Sequence, residues 1–313
     1  MLYIGIDLGG TNIGAGLVNE EGEILRQASL PTLVERGAEA IARDMGKLSL
    51  QLINEHGINV SDVAAIGVGV PGISDAEGNV LFCTNLGWKD VPLSKIIREI
   101  VDLPVIVDND ATVAGLAEAV AGVSRGYKNS LFITLGTGVG GGLFVDGKVY
   151  VGSHRAAGEV GHMCIELDGE QCSCGSKGCW ERYSSATALI RMANDAIKDT
   201  PDSLMVKKCE GDLSRLDARI IIDSAREKDA AAIKVYEKYI YYLAIGLTSI
   251  IHIFDPDIIA LGGGVSNAGD FLVQPLREEI QKHFLFKNIP HADIKIATLR
   301  NDAGIIGAAM LGR

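Results

Sequence analysis

LYIGIDLGGTNIGAGLVN, residues 2–19, sets two apolar runs, Leu2–Leu8 and Ile13–Asn19, on either side of Gly9-Gly10-Thr11. Short apolar runs bounded by turn residues read as buried strands. Glu21-Gly22 then predicts a hairpin turn into a third strand over Glu23–Ser29. The stretch LFITLGTGVGGGLFV, residues 131–145, repeats the design. Its strand Leu131–Thr134 meets a glycine turn, Leu135 to Gly138, then Val139–Val145, the turn Asp146-Gly147 and a last strand over Lys148–Val151. Asp7-Leu8-Gly9-Gly10-Thr11 lies opposite Thr134-Leu135-Gly136-Thr137-Gly138. A duplicated hairpin-and-strand unit followed by strand–helix pairs predicts two related α/β domains facing a cleft.

Outside these repeats the pattern alternates. Arg36 to His56 has helical apolar spacing (Ile41, Met45, Leu48, Leu52), with Gly57 as its stop. Ala64–Val70 is a buried strand ended by Pro71-Gly72, and Pro104–Val107 is another. An alanine-rich helix follows over Asp110–Val120. The second half predicts long helices near 183–198 and 229–253, a strand Asp257–Leu261, the run Gly262-Gly263-Gly264 and a helix Ala268–His283. The domains are set at 1–112, completed by a C-terminal helix 302–313, and at 113–301. The apolar run Tyr239–Phe254 carries His252 and is too short for a membrane span, so it reads as a buried helix.

Composition narrows the function classes. At 313 residues and 47% hydrophobic, the chain can fill two cores. A net charge of −11 argues against binding a phosphate backbone, which needs a basic surface. Met1 leads into YIGIDLGG after one residue, with no basic region or cleavage site, so the expected location is cytoplasmic and the thiols reduced.

Three glycine clusters each follow a strand: Gly9-Gly10, Gly136 to Gly142, and Gly262 to Gly264. Backbone without side chains can approach a polyphosphate closely and offer N–H groups to its oxygens. None of them is a GxxxxGK-S/T loop. A strand follows Gly138-x-Gly140, where a dinucleotide fingerprint needs a helix.

A different chemistry is carried by GEVGHMCIELDGEQCSCGSKGCWE, residues 158–181. It places His162 before Cys172, Cys174 and Cys179. Thiolate sulfur with imidazole nitrogen is the ligand set of a closed tetrahedral zinc site, and Gly175 and Gly178 let the backbone turn between the ligands. Cys83, Cys164 and Cys209 read as buried small hydrophobes. Trp180 reads as packing under the loop. Glu159 and Glu181 bracket the loop outside the ligand set.

Together these motifs resemble the ROK family of repressors, open reading frames and kinases, within the actin-like sugar-kinase superfamily. The resemblance covers nearly the whole chain. IDLGGTNIGAGLV is similar to the family's first phosphate motif and ITLGTGVGGGL to its second. DPDIIALGGGVS resembles its adenosine-side motif, and the C-x-C-G-x-x-G-C-x-E form its zinc signature, most closely in the glucokinase and N-acetylhexosamine kinase branches. The implied fold is two actin-like (ribonuclease H-like) α/β domains flanking an interdomain cleft. The implied activity is ATP-dependent phosphorylation of a hexose at its 6-hydroxyl, with glucose first. N-acetylmannosamine or N-acetylglucosamine are the alternatives within the class. A sugar-responsive regulator is the alternative outside it, disfavoured because no helix-turn-helix precedes the first strand.

The resemblance also implies roles. Asp7 would orient hydrated Mg²⁺ at the phosphates. Gly9, Gly10, Thr11, Asn12, Thr137, Gly138, Gly263 and Gly264 would line the nucleotide. Asn109 would bind sugar, and Asp110 would be the base toward the attacking hydroxyl, with Asp108 as the competing carboxylate. The family often has glutamate before this pair and asparagine two residues after it, where this chain has Asp108 and Thr112. Asp108-Asn109-Asp110 also reads as a helix N-cap, because Asx residues are favoured there. Glu159, His162 and Glu181 would grip sugar hydroxyls, with Gly72 and Asn85 lining the same pocket. His162 would share its two nitrogens between zinc and sugar. The expected partners are a small sugar and ATP, with no nucleic acid and no membrane, in a dimer or tetramer.

Overall fold

The computed structural model describes all 313 residues. The chain divides into two compact units. One comprises Met1–Phe132, Gly142–Gly158 and Ala297–Arg313; the other comprises Ile133–Gly141 and Glu159–Ile296.

The first elements in the chain are strands β1 (Leu2–Leu8), β2 (Asn12–Asn19) and β3 (Ile24–Pro31), helix α1 (Gly37–His56) and strand β4 (Val63–Val70). A small sheet follows: β5 (Ile73–Ser74), β6 (Val80–Cys83) and β7 (Trp88–Val91). Then come α2 (Leu93–Arg98), β8 (Val105–Asn109) and α3 (Asp110–Val120). The main sheet has the order β3-β2-β1-β4-β8. β1 is antiparallel to β2 and parallel to β4, and β4 is parallel to β8. Helix α1 buries Ile41, Met45, Leu48 and Leu52 as its spacing predicts. It stops at Gly57, whose φ of 76° is the left-handed cap conformation.

The pattern restarts with β9 (Ser130–Leu135), β10 (Val139–Val145) and β11 (Lys148–Val149). Helices α4 (Glu181–Ser184), α5 (Ala186–Asp199), α6 (Leu204–Lys208), α7 (Ala218–Arg226) and α8 (Ala230–Phe254) follow, then β12 (Ile258–Gly262), α9 (Asp270–His283), β13 (Asp293–Ile296) and α10 (Ala303–Met310). The second sheet, β11-β10-β9-β12-β13, repeats the order of the first. This is the duplicated α/β architecture that the two glycine turns predict.

Three local readings change. The helix expected near 183–198 is two helices, because Ser185 is extended (φ −86°, ψ 167°) and caps α5 by accepting the Ala188 N–H at 3.0 Å. The helix expected from Ala268 starts at Asp270, because Gly269 sits at φ 61°, ψ −135°. The small sheet, α2, α6, α7 and β13 went unread, since their segments are too short to show a period. The run Tyr239–Phe254 lies in α8 and buries Tyr239, Leu243, Leu247 and Ile251. No helix is long and apolar enough to cross a membrane.

The C-terminal helix lies on the first sheet, and at two glycines its backbone meets the strand backbone directly. A Cβ at Gly5 of β1 would overlap the Ile305 carbonyl oxygen, and one at Gly67 of β4 would overlap that of Ala308. On its other side, Gly307 gives the same clearance to the Val113 carbonyl of α3. Overpacking a core typically costs about 1–3 kcal/mol, and more where backbone is the obstacle. Gly67→Ala is therefore expected to lower stability by at least the upper end of that range, read as a shift in the denaturant midpoint. An unchanged midpoint would show that α10 does not depend on this contact.

Candidate active site

In the first unit, two chain turns carry the predicted residues. The turn after β1 is closed by the Gly9 N–H on the Asn12 carbonyl at 2.9 Å. Thr32 braces it twice: its hydroxyl donates to the Gly9 carbonyl at 2.7 Å and its N–H to the Thr11 carbonyl at 2.9 Å. Gly10, Thr11 and Asn12 are exposed, and a Cβ at Gly10 would meet open space. Asp7, at the end of β1, is partly buried, and that burial pushes its carboxyl above the usual range. Its carboxylate lies against Gly304 of α10, where a Cβ would fall 2.5 Å from Oδ2. An acid short of solvent beside an open backbone turn suits a hydrated divalent cation, which brings its own water.

The second turn joins β8 to α3. Asn109 is the N-cap: its Oδ1 accepts the Ala111 N–H at 2.9 Å and the Thr112 N–H at 3.3 Å. Its Nδ2 donates to the Gly72 carbonyl at 3.2 Å, which joins two of the predicted sugar residues. The cap reading and the proximity to Gly72 thus hold together. Asp108 and Asp110 have different settings. Asp108 accepts the Asn109 N–H at 2.8 Å and pairs with Arg155 at 3.2 Å. Burial raises its carboxyl, and the Asn109 amide and the Arg155 guanidinium act against that rise. Asp110 is exposed at the start of α3, where its Oδ1 accepts the Ala111 N–H at 2.8 Å.

Asn85 is exposed in a 3-10 turn over Thr84–Leu86. Beside it, the Cys83 thiol is buried and donates to the Pro71 carbonyl at 3.2 Å. Burial pushes this thiol up, and the charge of Asp110 adds to the rise. Sequence reasoning missed both Cys83 and Arg155 as neighbours of the acid turn. The Arg155–Asp108 pair spans 47 residues, a separation at which no local pattern exists.

In the second unit, the turn after β9 is closed by the Gly136 N–H on the Gly138 carbonyl at 3.0 Å. Thr137 is exposed, and its carbonyl accepts the Thr187 hydroxyl at 2.8 Å. The Glu181 Oε2 accepts the Val139 N–H at 3.0 Å, and its carboxylate fills the space a Cβ at Gly138 would need. Gly161 lies equally close to the Val139 carbonyl. Both arms of the Cys/His segment therefore rest on this turn. Gly263, at φ 81°, packs on Leu135 at the end of β9, and Gly264 faces open space.

The Cys/His segment itself is compact. The ligand atoms of His162, Cys172, Cys174 and Cys179 all lie within 4.8 Å of one another. The Cys174–Cys179 sulfurs are 3.6 Å apart, and Cys172 Sγ is 3.7 Å from His162 Nδ1. A tetrahedral zinc with Zn–S bonds near 2.3 Å requires sulfurs about 3.8 Å apart, so the donors fit that metal. The Ser176 backbone amide holds the Cys174 thiol below its usual range, while burial pushes Cys179 up. Gly175 (φ 95°) and Gly178 (φ 70°) make the turns between ligands. His162 Nε2 is turned the other way, 3.9 Å from Glu159 Oε2, and Glu159 is exposed. Trp180 is fully buried beneath, its indole N–H on the Tyr242 carbonyl at 3.0 Å and its ring against Gly246. Cys83 and Cys209 are buried as expected, whereas Cys164, bridged through its backbone to Cys179, is exposed.

A family model described as the ROK family matches residues 3–313. A glucokinase of Halalkalibacterium halodurans is 36% identical over 311 residues, covering 99% of this chain and 94% of the relative. A ROK family glucokinase from Streptomyces griseus, solved in complex with glucose and AMPPNP, is 35% identical with a TM-score of 0.83 over 99% of each chain. A ROK hexokinase from Thermus thermophilus is 31% identical with a TM-score of 0.85, over 99% of this chain and 97% of that one. With its duplicated sheets, its paired glycine turns and its Cys/His loop, the chain belongs to the ROK family.

Proposed function

We propose that this chain is an ATP-dependent hexose kinase that converts glucose to glucose 6-phosphate. The observation that carries the reading is the acid turn. Asp108 is committed to Arg155 and Asn109, while Asp110 stands exposed at the head of α3. The likeness to glucokinases over the full chain supports glucose as the acceptor.

Asp110 accepts the proton of the 6-hydroxyl as that oxygen attacks the γ-phosphorus. The new O–P bond forms as the bond to the bridging oxygen of ATP breaks, and ADP leaves. Such transfers are catalysed mostly by positioning and charge stabilisation. The turns Gly9–Asn12 and Gly136–Gly138, with Thr11 and Thr137, offer N–H and hydroxyl donors to phosphate oxygens. Asp7 would hold the nucleotide's Mg²⁺ through its water shell, where the ion would offset phosphate charge, and Gly263-Gly264 would line the adenosine. Sugar hydroxyls take Asn109, Glu159, His162 and Glu181, whose carboxylate oxygens each accept hydrogen bonds, with Gly72 and Asn85 alongside. His162, Cys172, Cys174 and Cys179 would hold zinc, which would supply rigidity to the loop rather than a reactive water. The protein works without nucleic acid, as a soluble cytoplasmic dimer or tetramer.

A coupled assay across hexoses and hexosamines is expected to give the highest kcat/KM with glucose. A higher value with N-acetylmannosamine would overturn the choice of acceptor. Asp110→Asn keeps the shape of the side chain but not its basicity. We expect kcat to fall at least about 10²–10⁴-fold with glucose binding still measurable by calorimetry. Near-normal turnover would remove Asp110 from the mechanism.

Glu159→Gln is expected to raise the KM for glucose far more than that for ATP. Equal effects on both would place Glu159 away from the sugar. Elemental analysis is expected to find one zinc per chain. Chelation, or Cys174→Ser, should raise the glucose KM and lower Tm together, since metal binding is linked to folding. Full activity and unchanged Tm after complete zinc removal would refute the structural role.

A further inference from the structure

Arg155 holds an uncommon backbone conformation. Its φ is 54°, in the left-handed region, and it has no glycine's freedom to be there. Such a conformation persists where the surroundings over-determine it, and these sites cluster where function needs them. Here the side chain is held at both of its faces. Nε donates to the Ser74 carbonyl at 3.2 Å, and the terminal nitrogen meets Asp108 Oδ2 at 3.2 Å. A planar guanidinium suits this task because its donors point in fixed, different directions.

The partners of Arg155 lead straight to the acid turn. Asp108 passes the contact on through its other oxygen, which accepts the Asn109 N–H at 2.8 Å. Ser74 passes it on through its hydroxyl, which donates to the Val107 carbonyl at 2.8 Å. The Asn109 side chain closes the ring by donating to the Gly72 carbonyl, two residues before Ser74. One guanidinium thereby ties β5 to the last residues of β8, immediately before Asp110. The Asp108 side chain is only 15% exposed and that of Arg155 30%. Removing the arginine strands a largely buried carboxylate, which is costly when its partner goes.

We propose that Arg155 is a positioning residue for phosphoryl transfer: by bridging the Ser74 carbonyl and Asp108, it fixes the direction in which β8 delivers Asn109 and Asp110 to the head of α3. This role requires no contact between Arg155 and either the phosphate or the sugar hydroxyl. It acts through Asp108 and Ser74 on the aim of the base. The proposal rests on the reading of Asp110 as that base.

The test uses the full chain, two substitutions at Arg155 and Asp110→Asn for comparison. Arg155→Gly removes the guanidinium and relieves the backbone, since glycine accepts this φ readily. Arg155→Lys keeps a cation that can reach Asp108 but lacks the fixed fork. Small misplacements of reacting groups can cost on the order of 10²-fold in rate, so kcat for Arg155→Gly is expected to fall by about 10- to 100-fold. The KM for ATP should not move. Added guanidinium ion should restore part of kcat to Arg155→Gly and none to Asp110→Asn, and Arg155→Lys should lie between Arg155→Gly and the unsubstituted chain.

Amide hydrogen exchange at Asn109 is read in the same proteins. It should quicken in Arg155→Gly, because the Asp108 acceptor loosens, and recover in part in Arg155→Lys. Unchanged kcat, or unchanged Asn109 exchange, in Arg155→Gly overturns the proposal. A general loss of kcat accompanied by an equal rise in both KM values, without guanidinium rescue, also overturns it, since that is a folding effect. Absence of glucose turnover in the unsubstituted chain would count against the hexokinase reading alone. The exchange measurement would still decide whether Arg155 fixes the turn.

Discussion

The first unit depends on the direct seating of α10 on β1, β4 and α3. Gly5 and Gly67 clear the way on the sheet side, and Gly307 on the α3 side. Side chains would hold these elements further apart, so the glycines set the distance between backbones. That distance has chemical consequences. β1 ends in Asp7, whose carboxylate lies against Gly304 of the same helix. α3 begins with Asp110. One eight-residue helix therefore touches the elements that carry both acids proposed for the phosphate and the acceptor.

Glu118 secures the arrangement from the far end of α3. Its side chain is fully buried, yet it accepts the N–H groups of Val123, Thr298 and Leu299 and the Thr298 hydroxyl at 2.7–3.1 Å. A buried carboxylate is tolerated when hydrogen bonds satisfy it. Here those bonds staple the segment leading into α10 onto α3. The entry to the last helix and the helix that starts with Asp110 are thus held as one piece.

The second unit solves a parallel problem around Val139. Its N–H is taken by Glu181 and its carbonyl is covered by Gly161. The two residues flank His162, Cys172, Cys174 and Cys179 in the sequence, so a metal held by that cluster would also clamp the glycine turn. Disorder in the loop would loosen both Glu181 and the turn it braces. Trp180, buried against Gly246, ties the loop to α8 in the same unit.

The features legible in the sequence were those written within a few residues. The strand–glycine–strand repeats, the stop at Gly57, the Asx cap at Asn109 and the His162, Cys172, Cys174, Cys179 set each rest on periodicity, turn chemistry or ligand spacing over short stretches. The hydrogen bonds and steric limits behind them act between near neighbours, so no fold is needed to see them. Tertiary structure decided what joins distant stretches. It paired Asp108 with Arg155 from 47 residues away, and it set Glu181 on Val139 across 42. It seated α10 on β1, the last helix on the first strand. Such contacts depend on where the backbone goes after many turns, and a one-dimensional pattern carries no record of which carboxylate a remote guanidinium will meet.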